Sequence, residues 1–241
     1  MSKISLAASD PAALDTRRML RVIEIFRSIQ GESSLAGWPT AFVRLAECNI
    51  RCTYCDTTYS FGKGEEWTED AIVERVTGYG VRHVCVTGGE PMLQAEGAIA
   101  LMRRLLDLGH VVSLETNGVI PLDGVPDGVV RVMDLKTPGG LGRSPGDPGF
   151  LKRFLHAPNL ALLDRRDELK VVVTSHSDYV WARTFLREHR LFERVGAVLF
   201  SPSHGQVSPA DLAAWMLDDQ LPARLNLQLH KVIWGADATG V

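Results

Sequence analysis

The sequence predicts an α/β fold, a modified and incomplete (β/α) barrel. Three observations predict it. After residue 20, strand-like apolar runs alternate with helix-like runs, the order that builds a parallel sheet covered by helices. About six strands follow the first, too few for an eight-stranded closure, with an open doubly wound sheet as the alternative. Polar residues collect just after the strands, where barrels of this kind place their chemistry.

Residues 1–20, rich in Ala, Ser and Asp, read as a loose or partly helical leader, residues 21–235 as a single barrel domain, and residues 236–241 as a tail. "RVIEIF" (21–26) alternates polar and apolar like a half-buried strand, and "TAFVRLA" (40–46) does the same. "WTEDAIVERVTGYG" reads as a helix capped by Thr68, with Glu69 and Asp70 in its first turn and Gly80 closing it. "HVCVTGGEP" is a short buried strand ending in a glycine loop. Pro91 is expected at the first position of the next helix, which runs to Gly109 through Ile99, Met102, Leu105 and Leu106. "HVVSLETNG" and "GVVRVMDLKTP" are further strands with their turns. Residues 137–149 form a glycine–proline loop too long for a simple connector. Strand "ELKVVVTS" (168–175), a helix near 176–189 and strand "GAVLFSPS" (196–203) follow. Ser208 then caps a helix with Pro209 at its first position, and "LNLQLHKVIW" is read as a last strand.

Composition narrows the function classes. The 241 residues are 45% hydrophobic and 23% charged, as in a globular protein that needs no disulfide staples. Twenty-six Lys and Arg against 29 Asp and Glu leave a net charge of −3, so nothing points to a nucleic-acid surface. No run approaches the ~18 apolar residues of a membrane span, and the start lacks a signal-peptide core. A cytoplasmic location is expected.

Three of the four cysteines, Cys48, Cys52 and Cys55, are spaced C-x3-C-x2-C. Such clustering indicates metal chemistry. Structural zinc asks for four ligands. The fourth cysteine, Cys85, sits between valines in mid-strand, where a thiol behaves as a small hydrophobe. Three thiolates can instead hold a [4Fe–4S] cluster with one iron left open.

C-x3-C-x2-C with Tyr54 before the last cysteine, followed by "GGEP" at Gly88–Pro91, resembles the signature of radical S-adenosylmethionine (SAM) enzymes. Together with "EIFRSIQGES", "AFVRLAECNIRCTYCDT", "ETNG", "DLKTP", "DELKVVV" and "QLHKVIWG", it resembles the 7-carboxy-7-deazaguanine synthase family over roughly residues 21–235. The resemblance implies a radical SAM barrel and a lyase. That lyase converts 6-carboxy-5,6,7,8-tetrahydropterin to 7-carboxy-7-deazaguanine with loss of ammonia, a step toward queuosine and other 7-deazapurines. It implies one [4Fe–4S] cluster per subunit on Cys48, Cys52 and Cys55, SAM cleaved to a 5′-deoxyadenosyl radical, and Mg2+ on Thr57. It also implies an electron donor such as flavodoxin, and a homodimer.

Residue by residue, it implies substrate contacts at Gln30, Gly31, Glu32, Arg44, Thr87 and His230. It implies SAM contacts at Tyr54, Asp56, Gly88, Gly89, Glu90, Glu115, Asp134, Lys136, Ser201 and Pro202, with Glu115 near the adenosyl end or the reacting carbon. Some family members place their terminal carboxylate in the site, and the tail "GADATGV" is expected to miss it. Two alternatives stand beside this reading: a radical SAM activase of a glycyl-radical partner, and a zinc-binding protein without catalysis.

Overall fold

The structure, a computed structural model, describes residues 18–236 and 238–241. Most of the expected leader, residues 1–17, lies outside them. One nine-stranded sheet carries the fold, in the order β3-β1-β2-β4-β5-β6-β7-β8-β9. Its strands are β1 (Met19–Ile29), β2 (Pro39–Leu45), β3 (Glu65–Thr68), β4 (His83–Gly88), β5 (Val111–Thr116), β6 (Val130–Asp134), β7 (Glu168–Val173), β8 (Ala197–Pro202) and β9 (Arg224–Leu225). β1 pairs antiparallel with both β2 and β3. From β2 onward every pairing is parallel. β3 and β9 end the sheet without meeting, so the barrel is incomplete.

Alternation along the parallel strands sorts residues onto two faces. Val43, Val84, Val86, Leu114, Val171 and Phe200 point outward into the main core. There they pack with Ile72 and Val76 of helix α1 (Glu69–Thr77), Leu101 and Leu105 of α2 (Ala95–Asp107), and Tyr179 and Leu186 of α5 (His176–Glu188). The in-register neighbours point inward: Arg44 beside Thr87, Phe42 beside Cys85, Cys85 beside Ser113, and Asp134 beside Lys170. One face is thus oily and the other increasingly polar toward the strand ends.

Local signals place the helices. Thr68 Oγ1 accepts from Ala71 N at 3.2 Å to start α1, and Ser208 Oγ accepts from Asp211 N at 3.0 Å to start α6 (Pro209–Asp218). Two short helices, α3 (Phe150–Phe154) and α4 (Ala157–Leu162), fill a stretch for which the sequence gave no element.

Three expectations need correction. The first helix starts at Glu69 behind its Thr68 cap as expected, but it ends at Thr77 with Gly78 as C-cap and not at Gly80, and Trp67 and Thr68 before it pair with β1 as part of β3. Pro91 opens a single 3-10 turn (Pro91–Gln94) capped by Glu90, and α2 begins only at Ala95. "LNLQLHKVIW" is not one strand. Pairing stops after Leu225, and α7 (Leu229–Trp234) follows. The physical reason is that a strand there would have no sheet to cover it: Val232 is 74% exposed and Ile233 53%. The chain turns inward instead, Leu229 N donating to Gly31 O at 3.0 Å.

The lower ends of β6 and β7 are locked by a buried ion pair, Arg131 to Asp167 at 3.1 Å. Asp167 also accepts from Arg131 N at 3.0 Å and Asp164 N at 2.9 Å. Asp167→Ala leaves a guanidinium and amides unpaired in the interior and should cost about 3–5 kcal/mol in urea unfolding. A loss within about 0.5 kcal/mol, the surface-substitution range, would contradict this.

Candidate active site

The thiol loop leaves β2 at Leu45 and is fixed by backbone contacts. Glu47 N donates to Ser60 O at 2.7 Å, Gly89 N to Leu45 O at 3.1 Å, and Glu90 N to Glu47 O at 2.8 Å. The glycine loop lies so close that only glycine fits. A Cβ on Gly89 would stand 2.0 Å from Glu47 O and 2.9 Å from Cys48 Cβ. Beneath them the carboxylate of Glu90, fully buried, accepts from Met92 N (2.9 Å), Thr116 Oγ1 (2.9 Å) and Asn117 N (2.7 Å). Burial pushes its carboxyl up, against these bonds. Glu90 therefore ties the glycine loop to the turn after β5.

Above the strand ends lies a cavity of about 440 Å³. Cys48, Cys52, Cys55 and Thr57 line it. So do Gln30, Gly31, Glu32, Arg44, Thr87 and His230, and also Tyr54, Asp56, Gly88, Gly89, Glu115, Asp134, Lys136 and Ser201. Glu90 and Pro202 do not. Glu90 is spent inside the loop scaffold, and Pro202 ends β8 in register with Val173. Cys85 is fully buried below the cavity, and burial raises its thiol well above its usual range.

The wall is a chain of charges. Arg44 and Glu24 are cross-strand partners, Nε donating to Glu24 Oε1 at 2.7 Å, and Tyr59 Oη donates to the same oxygen at 2.9 Å. The Arg44 guanidinium lies 5.8 Å from the centre of the Phe26 ring and 5.9 Å from that of Tyr59. Arg44 lines the cavity, and a planar guanidinium suits a planar anion there. Gln30 Nε2 and Thr87 Oγ1 converge on Glu115, at 3.5 and 3.0 Å.

Opposite, Lys170 Nζ lies 2.7 Å from Glu32 Oε2 and 3.8 Å from Asp134 Oδ2, while Lys136 Nζ is 2.8 Å from Asp134 Oδ2. Burial opposes ionisation of Glu32, but the Lys170 ammonium outweighs it and holds the carboxyl below its usual range. Burial likewise opposes charge on Lys170, and Asp134 and Glu32 reverse this, keeping it well above its ordinary value. Asp56 is bound by Lys231 at 2.7 Å; burial raises its carboxyl, and Lys231 brings it down to about 2.

The residues fit a cluster and a polar cofactor. Three half-buried thiols share one wall, with Cys48 and Cys52 against a small apolar group of Ile50, Leu141 and Phe150. Burial raises the thiols of Cys52 and Cys55 above their usual range, so a metal centre bound there would have to displace their protons. Among the described residues, no three His, Cys, Asp or Glu side chains gather tightly enough for a single ion. Asp134 Oδ1 and Ser203 Oγ are buried in the cavity wall and find no hydrogen-bond partner among the described residues, placed for a ligand that can supply one.

Sequence reasoning missed Lys170. Its signal was a lysine between Leu169 and Val171, at a strand position whose neighbours are fully buried. It also did not assign roles to Glu24, Tyr59, Ser203 or Gln228, whose Nε2 donates to Glu32 Oε1 at 2.7 Å. The tail was expected to miss the site, yet Ala236 and Ala238 to Val241 line the cavity. The glycine-rich loop is pinned to the thiol loop, Thr53 N donating to Gly140 O at 2.9 Å.

A family model for the radical SAM superfamily matches residues 44–134. The 7-carboxy-7-deazaguanine synthase of Chlorobaculum tepidum is 45% identical over 230 residues, covering 95% of this chain and all of that protein. The protein of the same name from Koribacter versatilis is 41% identical, covering 92% of this chain and all of its own. The crystal structure of QueE from Escherichia coli aligns with a TM-score of 0.66 at 20% identity, over 87% of this chain and 94% of that one, a likeness of fold.

Lys170→Met leaves Glu32 without its cation, while Asp134 keeps Lys136. The pair's stabilisation should be full above the ordinary carboxylate range near pH ~4 and fade as pH falls through the depressed range of Glu32. The variant should therefore lose about 3–5 kcal/mol near neutral pH and less in acid. An equal loss at both pH values in denaturant titrations would show that packing, not charge, is what Lys170 supplies.

Proposed function

The chain belongs to the 7-carboxy-7-deazaguanine synthase family of the radical SAM superfamily, and we propose that its cavity carries out the reaction for which that family is named. The substrate is 6-carboxy-5,6,7,8-tetrahydropterin and the products are 7-carboxy-7-deazaguanine and ammonia. The observation that carries this reading is the shared wall: three free thiols, the Arg44 guanidinium and a set of paired carboxylates around one cavity. Full-length likeness to synthases replaces the glycyl-radical activase and zinc-binding alternatives.

Cys48, Cys52 and Cys55 would hold a [4Fe–4S] cluster, and SAM would bind beside it. When bound, these groups supply the electron and the primary carbon radical that start the reaction. The remaining work falls to side chains. Gly88 and Gly89 line the cavity where the methionine end of SAM would lie. Asp134 and Ser201 face its polar adenosine groups, and Lys136, 5.6 Å from the Tyr54 ring centre, holds Asp134 ionised. Arg44 takes the pterin carboxylate with its planar guanidinium. Gln30, Glu32 and His230 bind the pterin edge, and Glu32 stays a pure acceptor because Lys170 keeps it deprotonated. Glu115, held by Thr87 and Gln30, faces the reacting carbon.

Thr57, whose Oγ1 donates to Asp56 Oδ1 at 2.9 Å, would hold Mg2+. Magnesium favours oxygen and keeps waters, so the substrate carboxylate is its natural second anchor. The enzyme works as a homodimer in a cytoplasmic setting that keeps thiols reduced. Among the described residues, no helix is long and apolar enough to cross a membrane.

The deciding experiment is anaerobic reconstitution followed by turnover. The protein should be brown, with about four irons and four sulfides per chain. With a reductant and SAM it should release 7-carboxy-7-deazaguanine from the pterin. Cys48→Ala, Cys52→Ala and Cys55→Ala should each lose the cluster, and Cys85→Ala should keep it. A colourless protein with one zinc per chain ends this reading.

Ligand binding separates the two ends of the cavity. Arg44→Ala should weaken pterin binding by about 2–5 kcal/mol and SAM binding far less. Thr57→Ala should keep the cluster and flatten the magnesium response of turnover. Equal losses of both ligands in the first variant, or an unchanged magnesium titration in the second, would each remove the role assigned.

A further inference from the structure

Glu24 does not line the cavity, yet it holds two residues that do, Arg44 and Tyr59. Its place depends on an irregularity in the sheet. β1 and β2 pair Val22 with Leu45 and then Glu24 with Arg44, so Ile23 is an extra residue on β1. Strict alternation would set Ile23 opposite Arg44. The bulge sets Glu24 there instead, on the face that carries Phe26 and Phe42 to the cavity. A bulge disrupts the local ladder, and bulges recur beside active sites because they re-aim a side chain. One oxygen of Glu24 then serves both neighbours. Oε1 accepts from Arg44 Nε at 2.7 Å and from Tyr59 Oη at 2.9 Å. The Arg44 and Glu24 side chains are only 16% and 22% exposed, so the pair is more than a solvated surface bridge. Phe26, stacked on Phe42 with ring centres 4.9 Å apart, lies against the guanidinium. A guanidinium that gives Nε to one carboxylate has its terminal nitrogens as donors for a second. Tyr59 belongs to the single 3-10 turn Thr58–Phe61, and the same turn holds Thr57: Ser60 Oγ and Ser60 N donate to Thr57 O at 2.7 and 2.9 Å. A shift of Glu24 therefore reaches both Arg44 and the Thr57 loop.

We propose that Glu24 is a positioning residue that sets Arg44 and the Thr57 loop as one receiver for the substrate carboxylate and its Mg2+. The inference rests on the reading above, which puts the pterin carboxylate at Arg44 and Mg2+ at Thr57. A carboxylate on Nε also has an opposing effect, since its charge weakens the pull of Arg44 on a second carboxylate. The geometry favours positioning. A merely neutralising pair needs no third group on the same oxygen, whereas Tyr59 occupies it and ties it to the next loop.

The test uses the reconstituted enzyme with SAM and two non-reacting probes, 6-carboxypterin and pterin without the carboxylate, whose binding is followed by ligand fluorescence. Glu24→Ala should weaken 6-carboxypterin binding about tenfold or more, the scale of one lost charged hydrogen bond, and leave binding of the unsubstituted pterin unchanged. Glu24→Gln, which keeps a carbonyl acceptor for Arg44, should recover most of that affinity. Tyr59→Phe removes one hydroxyl with little risk to folding. It should raise the Mg2+ concentration needed for 6-carboxypterin binding by about threefold or more. Equal loss of both probes in Glu24→Ala would make the residue merely structural and overturns the proposal. So does tighter 6-carboxypterin binding in either Glu24 variant, the sign of simple charge neutralisation. Wild-type affinity and magnesium response in both Glu24→Ala and Tyr59→Phe overturn it as well. Failure of the underlying reading looks different: wild type itself would then bind the two pterins alike and show no response to Mg2+.

Discussion

The ammonium of Lys170, set between Glu32 and Asp134, is the interaction on which the open side of this barrel depends. An incomplete barrel has two sheet ends and no backbone pairing between them. Exposed edges of that kind invite pairing with other chains. Here the turn after β1 crosses the gap and is fastened by side chains. Glu32 reaches Lys170, Ser34 N donates to the Glu168 carboxylate at 3.1 Å, and Arg224 donates to Ser34 Oγ at 2.8 Å. Gln228 and the backbone of Leu229 hold the same turn from α7. The lateral wall is thus built from polar contacts where a full barrel would use strands.

Such a wall is costly in stability. Buried ion pairs rarely repay their desolvation compared with a well-packed apolar core. What they provide is a set of charges whose positions are settled before a ligand arrives. Lys136, Asp134, Lys170 and Glu32 form one sequence of alternating sign along the cavity, and Arg44 with Glu24 forms another on the opposite side. Fixed dipoles and charges of this kind need no reorganisation when substrate charge changes. The arrangement fits a reaction on a carboxylated, nitrogen-rich heterocycle better than it would fit an apolar ligand.

Much of this was legible in the sequence because it follows from short-range rules. The strand alternation gave the two faces, the cysteine spacing gave the thiol loop, and Thr68 and Ser208 gave helix starts. What escaped depended on distant partners. "LNLQLHKVIW" alternates as a strand should, but the sheet ends at Leu225, and only the fold shows that nothing remains to pair with. Glu90 sits in a loop motif that suggests a ligand contact, yet three donors consume it, two of them from Thr116 and Asn117 at the end of β5. Lys170 was hidden because its partners lie 138 and 36 residues away in the chain. The tail reached the cavity through α7, an element that periodicity alone read as a strand.

The two ends of the cavity are held by different physics, and this has consequences. The cluster end is fixed by backbone: glycines too close for a Cβ, and amides bonded to Leu45 and Glu47. The buried carboxyl in that set, Glu90, is raised by burial and bonds to uncharged donors. The substrate end is fixed by charge: Glu32 and Asp56 have carboxyls lowered by Lys170 and Lys231, Asp56 to about 2. A group with a depressed folded pKa stabilises the structure above its unfolded value and loses that contribution as pH falls through the folded one. Acid should therefore loosen the turn at Glu32 and the α7 contacts while the thiol loop keeps its geometry. High salt should do less, because these pairs are largely withdrawn from solvent. The same division explains why the glycine loop tolerates no side chain, whereas the opposite wall depends on the sign of each charge and on its partner.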